Sequence, residues 1–243
     1  TEKGRFFAKN NIKYADFGTR RRFSVDNHRL VVGDLMSSSG DSLVGTSNMM
    51  IAKENGLTPI GTQAHEWVMF HGAIFGYLEA TRLSLKNWVN VYHGELGIAL
   101  SDTYTSRVFF DSFSMQYAKL FDGVRQDSGD PLSVMELAIA HYESLRIDPM
   151  SKSIVFSDGL NPEKAAAIAK ACDGRINASF GIGTNLTNDL GVKALNIVIK
   201  MTGCSMKPGD WLMPTVKLSD SPGKYTTIDN DTLETCKKVL GLD

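Results

Sequence analysis

Short apolar runs that end in small and polar residues recur along this chain. They are YADFGTR (14–20), LVGTSN (43–48), TPIGTQA (58–64), GIALSDTYT (97–105), GVRQDSGDP (123–131), SIVFSDGLN (153–161), NASFGIGTNL (177–186) and LNIVIKM (195–201). Each suits a strand covered on both faces, and several lead into an amphipathic stretch of helical length. Residues 131–145 show the unit well: Pro131 fits a first helical position, and Leu132, Met135, Leu137, Ile139 and Tyr142 supply an apolar face. Residues 161–173 repeat the pattern with alanine-rich filling. About eight such units in about 200 residues predict an α/β fold, a somewhat irregular TIM-like (β/α)8 barrel. A doubly wound open sheet fits the same periodicity, because periodicity alone does not close a barrel. Residues 203–215 read as an irregular excursion and 216–243 as a closing strand and terminal helix, so that 1–243 reads as one barrel domain.

Composition narrows the class. With 243 residues, 42% hydrophobic and 22% charged, the chain can bury a full core without disulfides or metals. A formal net charge of -1 provides no global field for a nucleic-acid backbone or an anionic membrane, so an anionic ligand must be held by local geometry. Cys172, Cys204 and Cys236 form no CxxC pair, which suggests neither a disulfide framework nor a zinc site and points to a reducing cytoplasm. No apolar stretch approaches the roughly 20 residues that span a bilayer, and the opening TEKGRFFAKN has no signal-peptide pattern. The chain does not begin with Met, and the expectation is that sequence precedes it.

In a parallel barrel the C-terminal strand ends form the active face. Here they carry Arg20 and Arg21, Thr46 and Ser47, Thr62 and His65, Asp102, Arg125 with Asp127, Asp158, and Gly183 with Thr184. A solvated rim favours Lys and Glu; Arg, Asp, Ser, Thr and Gly are the types that hold phosphates, ribose hydroxyls and Mg²⁺. FGIGTNLTND (180–189) suits a phosphate held by backbone N–H groups, or a tight turn that needs glycine for backbone reasons. Arg125 and Asp127, two apart on a strand, share a face and can hold an anionic and a metal-chelated substrate together. A surface ion pair ahead of a helix started by Asp130 and Pro131 fits that spacing equally. His65 falls at a helix start, where the dipole favours the neutral imidazole that a nucleophile toward phosphorus requires, although a lone histidine is more often structural. His28, His71, His93 and His141 lack comparable polar company and receive no role.

Together FGTRRRFS, VGTSN, GTQAHEW, VRQDSGDP, VFSDGLN, FGIGTNLTND and KLSDSPGK resemble the nicotinate phosphoribosyltransferase family, in the family's order and over nearly the whole chain. The resemblance implies a type II phosphoribosyltransferase with an irregular α/β barrel, an N-terminal domain that this chain lacks, and a homodimeric active site. The implied reaction, in NAD salvage, joins nicotinate to 5-phosphoribosyl 1-pyrophosphate, with ATP hydrolysis coupled through a phosphohistidine and Mg²⁺ as cofactor. It makes His65 the phosphorylated histidine, Thr62 and Arg125 nicotinate contacts, and Gly183 with Thr184 part of the phosphate site. Asp158 should hold the ribose hydroxyls, Asp127 should lie near the ribose and its Mg²⁺, and Arg20 should face the pyrophosphate. KLSDSPGK, with Ser221 and Lys224, receives no chemical task. Related nicotinamide enzymes carry an acid where VGTSN has Ser47. A like charge about 4 Å from nicotinate's carboxylate would cost about 4 kcal/mol at an effective dielectric near 20, so Ser47 favours nicotinate. The alternatives are a nicotinamide or quinolinate phosphoribosyltransferase, or a catalytically incomplete fragment that binds the donor without turnover.

Overall fold

The computed structural model describes residues 1–242. In chain order the elements are α1 (Glu2–Lys9), β1 (Tyr14–Asp16), α2 (Val25–Ser39), β2 (Leu43–Thr46), α3 (Met49–Asn55), α4 (His65–Phe75), α5 (Tyr77–Tyr92), β3 (Ile98–Leu100), α6 (Ser106–Ser112), α7 (Met115–Leu120), β4 (Gly123–Gln126), α8 (Pro131–Ser144), β5 (Ser153–Phe156), α9 (Pro162–Cys172), β6 (Asn177–Ile182), α10 (Thr184–Thr187), β7 (Gly203–Cys204), β8 (Met213–Pro214) and α11 (Asn230–Leu240). They fall into two compact units, Thr1–Gly61 with Pro149–Val198, and Thr62–Asp148 with Ile199–Asp243. No helix among the described residues is long and apolar enough to cross a membrane.

The first unit holds four parallel strands in the order β2-β1-β6-β5, with Asp16 level with Thr46 on one side and Ile182 on the other. That register brings the ends of β1, β2 and β6 side by side. β1 is buried at all three positions, as a strand between two parallel neighbours requires. Phe7 of α1 stacks on Tyr14, ring centroids 4.2 Å apart, and Phe156 on Phe180 at 5.8 Å. Three of the unit's helices begin where a side chain satisfies one of the first N–H groups. Ser24 caps α2, Asn48 caps α3, and Asn161 caps α9 ahead of Pro162.

The second unit holds β3 and β4, also parallel, with Leu100 level with Arg125. α4 and α5 pack on each other, and Val68, Ala80, Tyr104, Val216, Leu218, Leu233 and Cys236 form a core beneath them. A second aromatic cluster joins Phe109, Phe113 and Tyr142 between α6 and α8. Asp130 caps α8 and Pro131 opens it, as the sequence predicts.

Three expected strands do not form. Residues 58–64 contribute only a bridge between Pro59 and Thr46. Proline has no N–H to extend a ladder. In 195–201 the Ile197 N–H donates to the Leu195 carbonyl, which turns the chain back on itself, and Leu195 and Ile199 are 75% and 86% exposed. An apolar run specifies burial only where a neighbouring strand is present to pair with it. The closing strand after residue 216 is reduced to a bridge between Lys217 and Thr226, while the terminal helix does form, as α11. The described parallel strands therefore number six, where eight strand-helix units were expected.

Candidate functional site

His65 is the first residue of α4, where Ala64 leaves the helix start without a side-chain cap. Its ring is buried, and both nitrogens have partners. Nδ1 lies 3.1 Å from Thr103 Oγ1 and Nε2 lies 3.1 Å from Asp127 Oδ2. Asp127 in turn accepts from the Arg125 guanidinium at 2.7 Å, and a second Arg125 nitrogen donates to Thr62 Oγ1 at 2.9 Å. Thr62, Arg125, Asp127, His65 and Thr103 thus form one hydrogen-bonded row. Arg125 and Asp127 do lie on one side of β4 and its continuation, as a mostly buried ion pair, and Asp130 caps the next helix.

Behind this row lies a carboxylate that is fully buried. Asp102 Oδ2 accepts from Ser128 at 2.5 Å and lies 3.6 Å from Lys217 Nζ. Its Oδ1 has no hydrogen-bond partner and sits 3.8 Å from His65 Nε2. A buried carboxylate oxygen without a hydrogen bond is costly to keep.

Burial lowers the pKa of His65, and the neighbouring carboxylates only partly offset it. Burial also acts to raise the Asp127 carboxyl, but the His65 hydrogen bond and the Arg125 charge outweigh it and hold it well below the usual carboxylate range. At neutral pH the pair is therefore neutral imidazole beside carboxylate. An ionised carboxylate only accepts, so Nε2 carries the proton toward Asp127, and the Nδ1 lone pair faces the Thr103 hydroxyl. His65, Asp102 and Asp127 can also bring one ligand atom each within 4.8 Å of one another, a donor set that could hold a metal ion.

The remaining sequence-predicted residues belong to the first unit. There Asp16, at the end of β1, is fully buried. It accepts from His28 Nε2 at 2.6 Å, from the Thr46 hydroxyl at 2.6 Å and from the Gly18 N–H at 2.8 Å. Its carbonyl accepts the Ser47 N–H at 2.8 Å, which fixes Ser47 beside the β1 end. Arg20 lies in the short 3-10 turn Thr19–Arg21, and its side chain is exposed. Thr187 donates to the Gly18 carbonyl at 2.9 Å, and Asn188 to that of Arg21 at 2.9 Å. Gly18 is needed for that approach, since a Cβ there would fall 2.2 Å from Thr187 Cγ2. Gly183 and Thr184 stand at the start of the four-residue helix α10. Arg20, Ser47 and Gly183 with Thr184 thus sit on adjacent strand ends, and Asp158 follows β5, exposed.

Sequence reasoning missed several members. His28 does have polar company, in Asp16 and Thr46, because strand pairing brings residues 16 and 46 together. Thr103, Ser128, Lys217 and Asp220 were not singled out, and their contacts to the cluster span long sequence separations that no local pattern encodes. Asp102 was visible only as one of many rim carboxylates.

The site is thus a buried histidine held between a hydroxyl and an ion-paired carboxylate, at the strand ends of an α/β fold. A profile described as the nicotinate phosphoribosyltransferase (NAPRTase) family matches residues 12–243. The chain belongs to the nicotinate phosphoribosyltransferase family. It is 53% identical over 241 residues, 99% of its length, to a nicotinate phosphoribosyltransferase of Chromohalobacter salexigens, and 49% identical over 233 residues to nicotinate phosphoribosyltransferase 1 of Pseudomonas aeruginosa, 95% of this chain and 57% of that protein. The crystal structure of nicotinate phosphoribosyltransferase from Porphyromonas gingivalis superposes with a TM-score of 0.96 at 47% identity, covering 99% of this chain and 62% of that one. The chain spans 61% of the length of the Chromohalobacter salexigens relative.

Proposed function

We propose that this chain is the catalytic part of a nicotinate phosphoribosyltransferase. It joins nicotinate to 5-phosphoribosyl 1-pyrophosphate, giving nicotinate mononucleotide and pyrophosphate, and ATP cleavage is coupled through phosphorylation of His65. The observation that carries the reading is the His65 environment: a neutral ring with its proton directed at Asp127 and its lone pair on Nδ1. Nδ1 attacks the γ-phosphorus of ATP once the Thr103 hydroxyl turns away. An N–P bond forms, the bond from phosphorus to the bridging oxygen breaks, and ADP leaves. The positive charge that develops on the ring is met through Nε2–H by the Asp127 carboxylate. Water then takes the phosphoryl group as inorganic phosphate.

For the glycosyl transfer, Arg125 and Thr62 hold the nicotinate carboxylate; the planar guanidinium suits that bidentate partner. Asp127 faces the ribose, where loss of pyrophosphate builds positive charge on the ring. Asp158 holds the ribose hydroxyls, Gly183 and Thr184 the 5-phosphate, and Arg20 the pyrophosphate. The Asp102 oxygen without a partner and the Asp127 carboxylate fit a hard cation, and these two residues would hold Mg²⁺ together with substrate oxygens. When bound, the ion would neutralise charge on the departing pyrophosphate. In this reading the parallel strands of the two units are parts of one irregular (β/α)8 barrel, and the whole enzyme works as a homodimer in the cytoplasm.

The test is base-dependent release of pyrophosphate with nicotinate, nicotinamide and quinolinate side by side. It is run on this chain and on a chimera that adds the rest of the Chromohalobacter salexigens relative. The proposal expects turnover with nicotinate above the other two bases in at least one of these proteins. Preference for another base, or no turnover in either protein, contradicts it.

A further inference from the structure

KLSDSPGK has no part in the chemistry above, yet, besides internal bonds and a pairing with Thr226, the polar groups of its Lys217–Ser221 segment reach the loops that carry the partners of His65. The Asp220 carboxylate accepts both the N–H and the hydroxyl of Ser106, at 2.8 and 2.6 Å, where α6 begins. The Asp220 N–H donates to Ser128 Oγ at 3.0 Å, and Ser128 is the residue that donates to Asp102. Ser221 Oγ accepts the Gly129 N–H at 3.1 Å, and the Leu218 N–H donates to the carbonyl of Thr103 at 2.8 Å. Lys217 Nζ stands 3.6 Å from Asp102. The approach is close enough to require glycine at position 129, whose φ is +76° and where a Cβ would fall 2.6 Å from Asp220 Cβ. One segment therefore grips the loop after β3, which carries Asp102 and Thr103, and the loop after β4, which carries Asp127 and Ser128.

We propose that Lys217–Ser221 is a positioning strap for His65, with Asp220 at its centre. By tying the two strand-end loops together it keeps Thr103 on Nδ1 and Asp127 on Nε2, and so selects the tautomer with the proton on Nε2. The apolar side of the same segment anchors it, because Leu218 is a buried member of the core under α4 and α5. A strap fixed on one side and hydrogen-bonded on the other holds side-chain geometry that the two short strands, with three and four residues, do not fix beyond their ends. The importance of the strap for phosphoryl transfer rests on the reading of His65 as the nucleophile. The positioning itself does not.

The experiment is therefore one that needs no substrate. The full chain, labelled with ¹⁵N, is taken above the ordinary histidine titration range, and long-range ¹⁵N–¹H correlation reports the tautomer of each imidazole. In the unaltered chain His65 is expected as the Nε2–H form alone. Asp220→Ala, which frees Ser106 and loosens both loops, is expected to give a mixture of both tautomers at His65. Asp220→Asn, which retains an acceptor for the Ser106 N–H, should restore most of the preference. His28, whose partner Asp16 lies in the other unit, is the internal reference and should keep its signal throughout. If Asp220→Ala loses the His28 signal as well, Ser221→Ala, which removes only the acceptor of the Gly129 N–H, takes its place and should give a partial mixture. A single His65 tautomer in the variants with His28 intact, or the Nδ1–H form in the unaltered chain, overturns the strap. A His65 that responds in this way yet never accepts phosphate from ATP overturns the nucleophile reading and leaves the strap standing.

Discussion

Two histidines in this chain lean on carboxylates at the ends of parallel strands, and they differ in what surrounds them. The Asp16–His28 pair is sealed: both side chains have no exposure, and Asp16 is satisfied by His28, Thr46 and Gly18. The Asp127–His65 pair is open at one side, with a quarter of the Asp127 side chain exposed and an unpartnered Asp102 oxygen behind it. The first arrangement uses the Asp16 carboxylate to join the ends of β1 and β2 to α2, and the one group it leaves over, His28 Nδ1, is shut inside the fold. The second leaves the Asp127 carboxylate and the Arg125 guanidinium partly exposed, with the buried Asp102 oxygen behind them. The same residue pair is thus sealed in one unit and partly open in the other, according to what packs around the carboxylate.

Stability should separate the pairs most strongly. His28→Leu leaves Asp16 buried with a partner missing and is expected to cost about 3–5 kcal/mol in urea unfolding, whereas His65→Asn should cost about 1 kcal/mol or less. Equal losses would erase the distinction. Next in size is substrate binding. Arg125→Lys exchanges a planar fork for a point charge and should raise the KM for nicotinate about tenfold, equivalent to about 1.4 kcal/mol, with a smaller change in kcat.

A pH titration of stability sharpens the comparison further. Burial depresses His65 below its ordinary 6.5, and in the fold Asp127 lies below its ordinary 3.8. Both groups bind protons more readily in the unfolded chain. Their contribution is therefore complete above the histidine range and is lost as pH falls, first below 6.5 and then below 3.8. In His65→Asn the upper step should shrink to what His71, which burial also lowers, contributes, as thermal unfolding across that range would show. The smallest expected effect is on selectivity. Ser47→Asp should move the ratio of kcat/KM values toward nicotinamide by about tenfold, since a like charge near a carboxylate is costly. An unchanged ratio would remove Ser47 from the base pocket.

The part of this picture that local sequence carried is the part built from local chemistry. The β4–α8 turn was legible because a strand, an Arg-x-Asp spacing and an Asp-Pro helix start are all contained in nine residues. His65 was legible from its place at a helix start in polar company. The parallel α/β character followed from repeated apolar runs, but strand existence at 58–64 and 195–201 did not, because a strand forms only against a partner that the run itself does not encode. The same limit hid the site's supports: Ser106 and Asp220 are 114 residues apart, and Thr103 lies 38 residues from His65. His28 errs in the opposite direction: its helical context gives no sign of a partner, which the end of β1 supplies as Asp16.

The most direct measurement is incubation with γ-labelled ATP, comparing the unaltered chain with His65→Asn and His28→Asn, in this chain and in the chimera completed from the Chromohalobacter salexigens relative. The account predicts acid-labile, base-stable label on the unaltered protein and on His28→Asn where that variant remains folded, and none on His65→Asn. Label that survives His65→Asn, or no label on the unaltered protein in either form, would contradict it.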